Sequence, residues 1–397
     1  MLIFEYKVAG NTQQNTAMDE AIRITQFIRN KCLRLWMDGR GISKYDLQCF
    51  CAQLAKEYPL ASCLNSQARQ ASADRAWFAI SRFYENCKMH KPGKKGYPRF
   101  QRDNRSVEYK QTGWKLEPDG KHLTFTDGCG IGRLKLLGNP KQPIETFPTK
   151  QIKRVRISHR ADGYSVQFSV QAERVIEHIP TDKQVGIDVG LKAYYTDSDG
   201  NTVDNPRHYR QAEQKLKRLH RQLSRKQKKS KNRQKARKQL AKAYLKVQRQ
   251  REDFARKTAS TLVSSHDLIA YESLQIRNMG KNPHLAKSIH DAGWGQFLRW
   301  VNAYGAMHDI PVIAVPPQFT SQACSACGTL VKKSLSVRTH ICPGCGVVLD
   351  RDHNAALNIL AKARTLGHRE TDEQSSNASG QTASTRIFVR DTSKRAG

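Results

Sequence analysis

At 397 residues the chain exceeds the usual size of a single folding unit, so more than one core is expected. Its 68 Lys and Arg against 35 Asp and Glu give a formal charge of +33, a self-repulsion that a polyanionic partner offsets. This implies nucleic acid as the partner. A membrane surface would attract the same charge, but no apolar run approaches the roughly 18–20 residues that a spanning helix needs, and MLIFEYKVAG lacks a charged leader region. The expected location is the cytoplasm.

MLIFEYKV reads as a strand ended by Gly10-Asn11. From Thr12 the period changes: Ala17, Ala21, Ile24, Ile28, Cys32 and Leu35 step by three or four and predict an amphipathic helix. A second helix follows GRG, with Ser43 and Asp46 spaced as a capping box, and a third runs from near Asn65 to Cys87. KMHKPGKKGYPRFQR breaks the pattern. Beyond it HLTFTD, RVRISH and YSVQFSVQAE alternate as strands, with hairpin signals at Asp119-Gly120 and Asp162-Gly163. These strands predict an antiparallel β-barrel or sheet that recruits the first strand. DGCGIGR has no helix after it and reads as a β-turn run, not a nucleotide loop.

At Gln184 an apolar strand containing one acid opens QVGIDVGLKAYYTDSDGNTV, a three-strand meander of the kind that begins an RNase H-like α/β fold. Residues 207–257 then carry 21 Lys or Arg and three acids, so +18 of the +33 lies in this window. Leu216, Leu219 and Leu223, then Leu240, Tyr244, Val247 and Phe254, keep helical spacing and predict a basic helical hairpin reversing at KKSKNR. Lys226, Lys228, Lys229, Lys231, Arg233, Lys235, Arg237 and Lys238 are the candidates for phosphate contact there. A merely solvated basic face is the alternative, and the retained apolar stripe argues against a disordered one. DLIAYESLQ, HDAGWGQFLRWVNAYGAMHD and IPVIAVPP follow as strand, helix and strand, which supports a mixed α/β sheet. From 367 to 397 the composition predicts a disordered tail.

Cys324-x-x-Cys327 and Cys342-x-x-Cys345 offer four thiolates on two knuckles, each followed by glycine. This pattern fits a closed, structural, tetrahedral zinc site. The other six cysteines are scattered and read as buried thiols. Three acids occur where burial is costly: Asp188 in VGIDVG, Glu272 in AYES and Asp352 at the start of RDHNAALNILAKA. Brought together they would repel one another, and a pair of Mg²⁺ or Mn²⁺ ions is the natural compensation. Such a site hydrolyses phosphodiesters, leaving 5′-phosphate and 3′-hydroxyl ends. Asp350 or Asp352 supplies the third ligand. Asp352 is favoured, with Asp350 as the helix N-cap or a group supporting the ligands.

At these residues the sequence resembles the TnpB family, transposon-encoded RNA-guided DNA endonucleases related to compact type V CRISPR effectors. QFIRNKC, GYPRF, GIDVGLK, AYESL, DAGWGQF, TSQACSACG and CPGCGVVLDRDHNAALNIL carry the resemblance. It implies a multidomain α+β protein with an antiparallel β-barrel wedge domain at 1–10 and 97–180 and a helical recognition domain at 11–96. It further implies a RuvC nuclease domain at 181–320 and 349–366, and a zinc ribbon at 321–348. It carries over Asp188, Glu272 and Asp352 as the nuclease triad, the four paired cysteines as zinc ligands and Arg338 as an auxiliary residue on the substrate strand. It also implies a guide RNA from the transposon end, double-stranded target DNA with a short flanking motif, and a prokaryotic, nucleoid-associated setting. An RNase H-fold transposase or resolvase acting without RNA is the alternative, as is a guided DNA-binding repressor without cleavage; the presence of all three acids argues against the repressor.

Overall fold

The first alternating segment, LIFEYKVA, becomes strand β1 (Leu2–Ala9), with Leu2, Ile3, Phe4 and Tyr6 buried. The computed structural model describes residues 1–138, 144–172, 176–334, 336–373 and 387–389, and beyond 366 only backbone elements. The chain forms two compact units, Met1–Glu173 with Ser384–Gly397, and Arg174–Ala383.

In the first unit β1 leads into helices α1 (Thr12–Asp38), α2 (Lys44–Glu57), α3 (Pro59–Ser62) and α4 (Ser66–Lys88). Asn11 and Gln14 form a capping box at α1, and Ser43 with Asp46 forms the expected one at α2. Strands β2 (Ser106–Tyr109), β3 (Trp114–Leu116), β4 (His122–Phe125), β5 (Arg133–Leu137), β6 (Ile152–Arg160) and β7 (Gly163–Val170) follow. The sheet order is β2-β6-β7-β1-β5-β4-β3, so the first strand lies in the middle of the sheet, antiparallel to β7 and β5. Asp119-Gly120 and Asp162-Gly163 lie at the β3–β4 and β6–β7 turns, as their composition predicts.

The expected barrel does not close. Among the described residues no ladder joins the edge strands β2 and β3. Helices α1 and α4 pack against β2 instead, and Arg75 of α4 donates to the Ser106 carbonyl at 2.8 Å. A covered edge removes the need for closure. The helical segment expected as its own domain, residues 11–96, shares one core with this sheet: Ile24, Ile28, Leu33, Leu64 and Ile80 join the same cluster as Phe4, Val107, Ile157 and Phe168.

The second unit opens on β8 (Gln184–Val189), β9 (Ala193–Asp197) and β10 (Thr202–Asp204). Helices α5 (His208–Ser224) and α6 (Lys231–Ser264) form the basic hairpin, which runs seven residues beyond the expected boundary at 257. Then come β11 (Leu268–Glu272), α7 (Ile276–Met279), α8 (Ala286–Ala292), α9 (Trp294–His308) and β12 (Val312–Val315). A small hairpin of β13 (Thr339–Ile341) and β14 (Val348–Asp350) leads straight into α10 (Arg351–Glu373). The sheet order is β10-β9-β8-β11-β12, an antiparallel meander extended by two parallel strands. On one side Phe254 of α6 and Phe297 of α9 pack on Tyr194 and Tyr195 of β9. Helix α10 also packs on the sheet, its Ile359 and Ala363 against Ala270 and Val315.

Residues 367–373, expected in the tail, continue α10, and a short strand β15 (Ile387–Val389) runs parallel to β1. The rest of the tail expectation falls outside the described residues.

The seating of α10 depends on Gly186 of β8. A methyl group there would meet the Ala356 carbonyl oxygen at 2.3 Å and the Leu360 amide nitrogen at 2.8 Å, both rigid backbone atoms. Gly186→Ala is therefore expected to destabilise the second unit by about 1–3 kcal/mol, measured by calorimetry as a lower Tm.

Candidate active site and metal centre

Asp188 lies near the end of β8 and Glu272 at the last position of β11, adjacent parallel strands in the sheet. Asp352 occupies the first turn of α10, and its Oδ2 lies 3.9 Å from where a Cβ on Gly190, just past β8, would stand. The three acids thus reach one end of the sheet from two strands and a helix. Burial first, and then the charges of Glu272 and Asp352, push the Asp188 carboxyl well above the usual carboxylate range, against a smaller opposing pull from Arg351 and Arg338. Glu272 is also raised by burial, although it accepts a hydrogen bond from the buried Thr320 hydroxyl and feels Lys362. No choice of one oxygen from each of the three carboxylates brings all three within 4.8 Å of one another. Asp188 is the central member, coupled to both others.

Asp350 takes the capping role. Its Oδ1 accepts from the Asp352 amide at 2.8 Å and the His353 amide at 3.4 Å, which fixes the first turn that carries Asp352. Arg338 lies 3.4 Å from both Asp352 oxygens and keeps half its side chain exposed.

The four cysteines do come together, all sulfurs lying within 4.8 Å of one another. The two knuckles repeat each other closely. Gly328 and Gly346 both take positive φ and donate to the carbonyls of Cys324 and Cys342 at 2.9 Å, while the cysteine amides reach Thr329 and Val347. The Thr329 hydroxyl and amide, aided by Cys342 and Cys345, pull the Cys327 thiol down to about 6. Such a cluster can hold one tetrahedral ion with no open position.

Polar residues that periodicity does not flag bind the knuckle to the helix. Asn354, fully buried, accepts from the Ser325 amide at 2.9 Å and donates to the Ala323 carbonyl at 2.8 Å. One turn later Asn358 donates to the carbonyls of Thr320 and Ala323, both at 2.8 Å. Their spacing of four on one helix face is visible in NAALN, but their partners are about 30 residues away in sequence.

The basic hairpin is held at its start by Asp291 of the DAGWG stretch, which is buried and accepts from the amides of Tyr209 and Arg210 at 2.8 and 3.0 Å, capping α5 from another element. Of the phosphate-contact candidates, Lys226, Lys228, Lys229, Lys231, Lys235, Arg237 and Lys238 are exposed. Arg233 is not: it donates to the carbonyls of Leu223 and Lys226 and closes the turn.

Two family models match the chain, one described as a probable transposase over residues 167–283 and one as the Cas12f1-like TNB domain over 294–359. A protein of Streptomyces pristinaespiralis is 36% identical over 196 residues, 49% of this chain and 48% of that one. InsQ of Escherichia coli (strain K12) is 29% identical over 288 residues, 68% of this chain and 69% of that one. Both carry the name "Putative RNA-guided DNA endonuclease". Over these stretches the chain is similar to the proteins that the two family models describe and to these two relatives. The matched region spans about half of the Streptomyces relative's length. The fold of this chain is similar to that of Cas12f1 in a complex with guide RNA and target DNA (TM-score 0.54, 13% identity, covering 87% of this chain and 81% of that one). It is also similar to the mini-RNA-guided endonuclease Cas_phi3 (TM-score 0.56, 10% identity, covering 91% and 92%).

Replacing Asn354 by Leu strands the Ser325 amide and the Ala323 carbonyl in a buried setting. It is expected to cost about 1–3 kcal/mol per group left unpaired, read as a lower unfolding temperature and faster amide exchange at Ser325.

Proposed function

We propose that the protein is an RNA-guided DNA endonuclease of transposon origin, cutting target DNA by phosphodiester hydrolysis at a RuvC-type site. The observation that carries this reading is the grouping of Asp188, Glu272 and Asp352, with Asp188 driven towards its neutral form by burial and then by the charges of the other two. The sheet order, three antiparallel strands then two parallel ones, supports the RNase H-like assignment. Fold similarity to Cas12f1 and Cas_phi3 and the names of the relatives support the guide.

Asp188, Glu272 and Asp352 are the residues that would hold Mg²⁺ or Mn²⁺, and such ions supply an activated water and charge stabilisation at the leaving 3′ oxygen. The fit rests on the donor set: three hard carboxylates with unbalanced negative charge, the chemistry a divalent cation compensates. The chain's own contribution is positioning. Thr320 orients Glu272, the Asp350 cap holds Asp352, and Arg338 presents an exposed guanidinium beside Asp352 where a strand phosphate can meet it. One structural Zn²⁺ in the cysteine cluster would make the ribbon rigid, and Asn354 and Asn358 would pass that rigidity to α10. The exposed lysines of the hairpin offer a cradle for RNA derived from the transposon end. Base pairing with that RNA then reads the target strand, while the protein checks a short flanking motif in the duplex.

The test is to express the chain with its flanking transposon DNA, sequence the RNA that copurifies and assay plasmid cleavage with Mg²⁺. A discrete RNA is expected, and cleavage is expected to follow a reprogrammed guide; cutting that ignores the guide refutes the reading. Asp188→Ala is expected to slow cleavage about a thousandfold, the loss of roughly 4 kcal/mol of charge stabilisation, while leaving RNA binding intact. Metal analysis should find about one zinc per chain, reduced in Cys324→Ser.

A further inference from the structure

The first unit holds a second concentration of charge that cleavage chemistry does not use. Glu108 of β2 is only 3% exposed. Arg154 and Arg156 of β6 grip it, with Nη1 to Oε1 at 2.5 Å and Nε to Oε2 at 2.9 Å, and Arg75 of α4 lies 3.8 Å away. One carboxylate faces three guanidinium groups. Burial, and then Arg156, Arg154 and Arg29, pull Arg75 down to about 10 against the opposing effect of Glu108.

Beside this cluster opens a cavity of about 510 Å³ whose walls include Arg29, Arg75, Arg99, Arg156, Gln101 and Ser106. Arg29, half-buried on α1, donates to the Asn30 side chain and to the Arg99 carbonyl. Among the described residues no carboxylate pairs with Arg29 or Arg99. Arg99 sits in GYPRF between Tyr97 and Phe100, which are 54% and 44% exposed. Tyr97 is fixed from below by Trp36 and Phe83, at ring distances of 5.6 and 5.3 Å. Planar guanidinium forks match phosphate oxygens in pairs, and exposed rings held on a rigid base are surfaces on which nucleobases stack.

We propose that this cavity binds a backbone phosphate of a nucleic acid through Arg29, Arg75, Arg99 and Arg156, with Tyr97 and Phe100 placed for an adjoining base. The excess of guanidinium over carboxylate is then the resting state of a site completed by its ligand. RNA and DNA share this phosphodiester chemistry. The proposal does not depend on the nuclease reading, and its readout is binding, not cleavage.

The test uses the full chain and three labelled probes of one sequence: single-stranded RNA, duplex DNA and an RNA–DNA hybrid. The pocket variant is Arg29→Gln with Arg99→Gln. The control is Arg23→Gln with Arg34→Gln, which removes the same charge from arginines paired to Glu20 and Asp38 elsewhere on α1. Arg75 is left in place, because Glu108 depends on it. At about 0.15 M salt the pocket variant should bind at least one probe about tenfold more weakly, with the slope of log K against log salt reduced by roughly 0.7–0.9 for each phosphate that is no longer neutralised. The control should stay within about twofold of the parent, as expected for exposed ion pairs. The probe that responds identifies the source of the phosphate. Arg99→Gln alone, at an exposed position, should show part of the effect with an unchanged Tm. Equal binding of all three probes by the pocket and control variants, or an equal weakening in both, overturns the proposal.

Discussion

Much of the second unit depends on how closely one helix approaches one strand. At Gly186 the backbone of α10 comes so near β8 that not even a methyl group fits between them. The approach lets Ile359 and Ala363 reach Ala270 and Val315, and it fixes where the helix starts. Because the start is fixed, Asp350 can cap it, Asp352 can face the end of β8, and Asn354 and Asn358 can bind the chain leading into the cysteine cluster. A single packing constraint thereby sets the place of an acid, a cap and a cysteine knuckle.

Acids in this unit divide by what surrounds them. Asp267 accepts from the Thr181 and Asp182 amides, the Thr181 hydroxyl and His178, and these donors hold it well below the usual carboxylate range. Asp291 is spent on two amides of α5. Asp188 has acids for neighbours and is pushed the other way. Burial first, and then the neighbouring acids, raise Asp188, whereas Asp267 is more exposed and is lowered by the donors that surround it.

The longer strands and helices, the basic hairpin and the cysteine pairing were legible in the sequence because each has a short period or a local spacing: alternation in YSVQFSV, steps of three and four from Ala17 to Leu35, and two knuckles of the same Cys-x-x-Cys-Gly spacing. The open sheet was not legible. Whether β2 and β3 meet depends on which surfaces α1 and α4 cover, a fact spread over about 100 residues. Asp291, Asn354, Asn358 and Thr320 were silent for the same reason, since each acts on a partner distant in the chain. The far end of α6 was misplaced because charge marked the hairpin and charge ceases before the helix does.

The short strand Val348–Asp350 is all that separates the last knuckle from the capped helix. A strand alternates faces at every residue, so one residue added or removed there would turn its side chains over and move the cap off the helix start. The part of the loop between the knuckles that lies after Thr329 and before Arg338 and β13 carries no strand register, and its two ends are already tied through the cysteines. Length change among relatives should therefore collect in that loop and be absent from the spacer. The rule constrains how the chain can be lengthened, and it concerns register rather than residue identity.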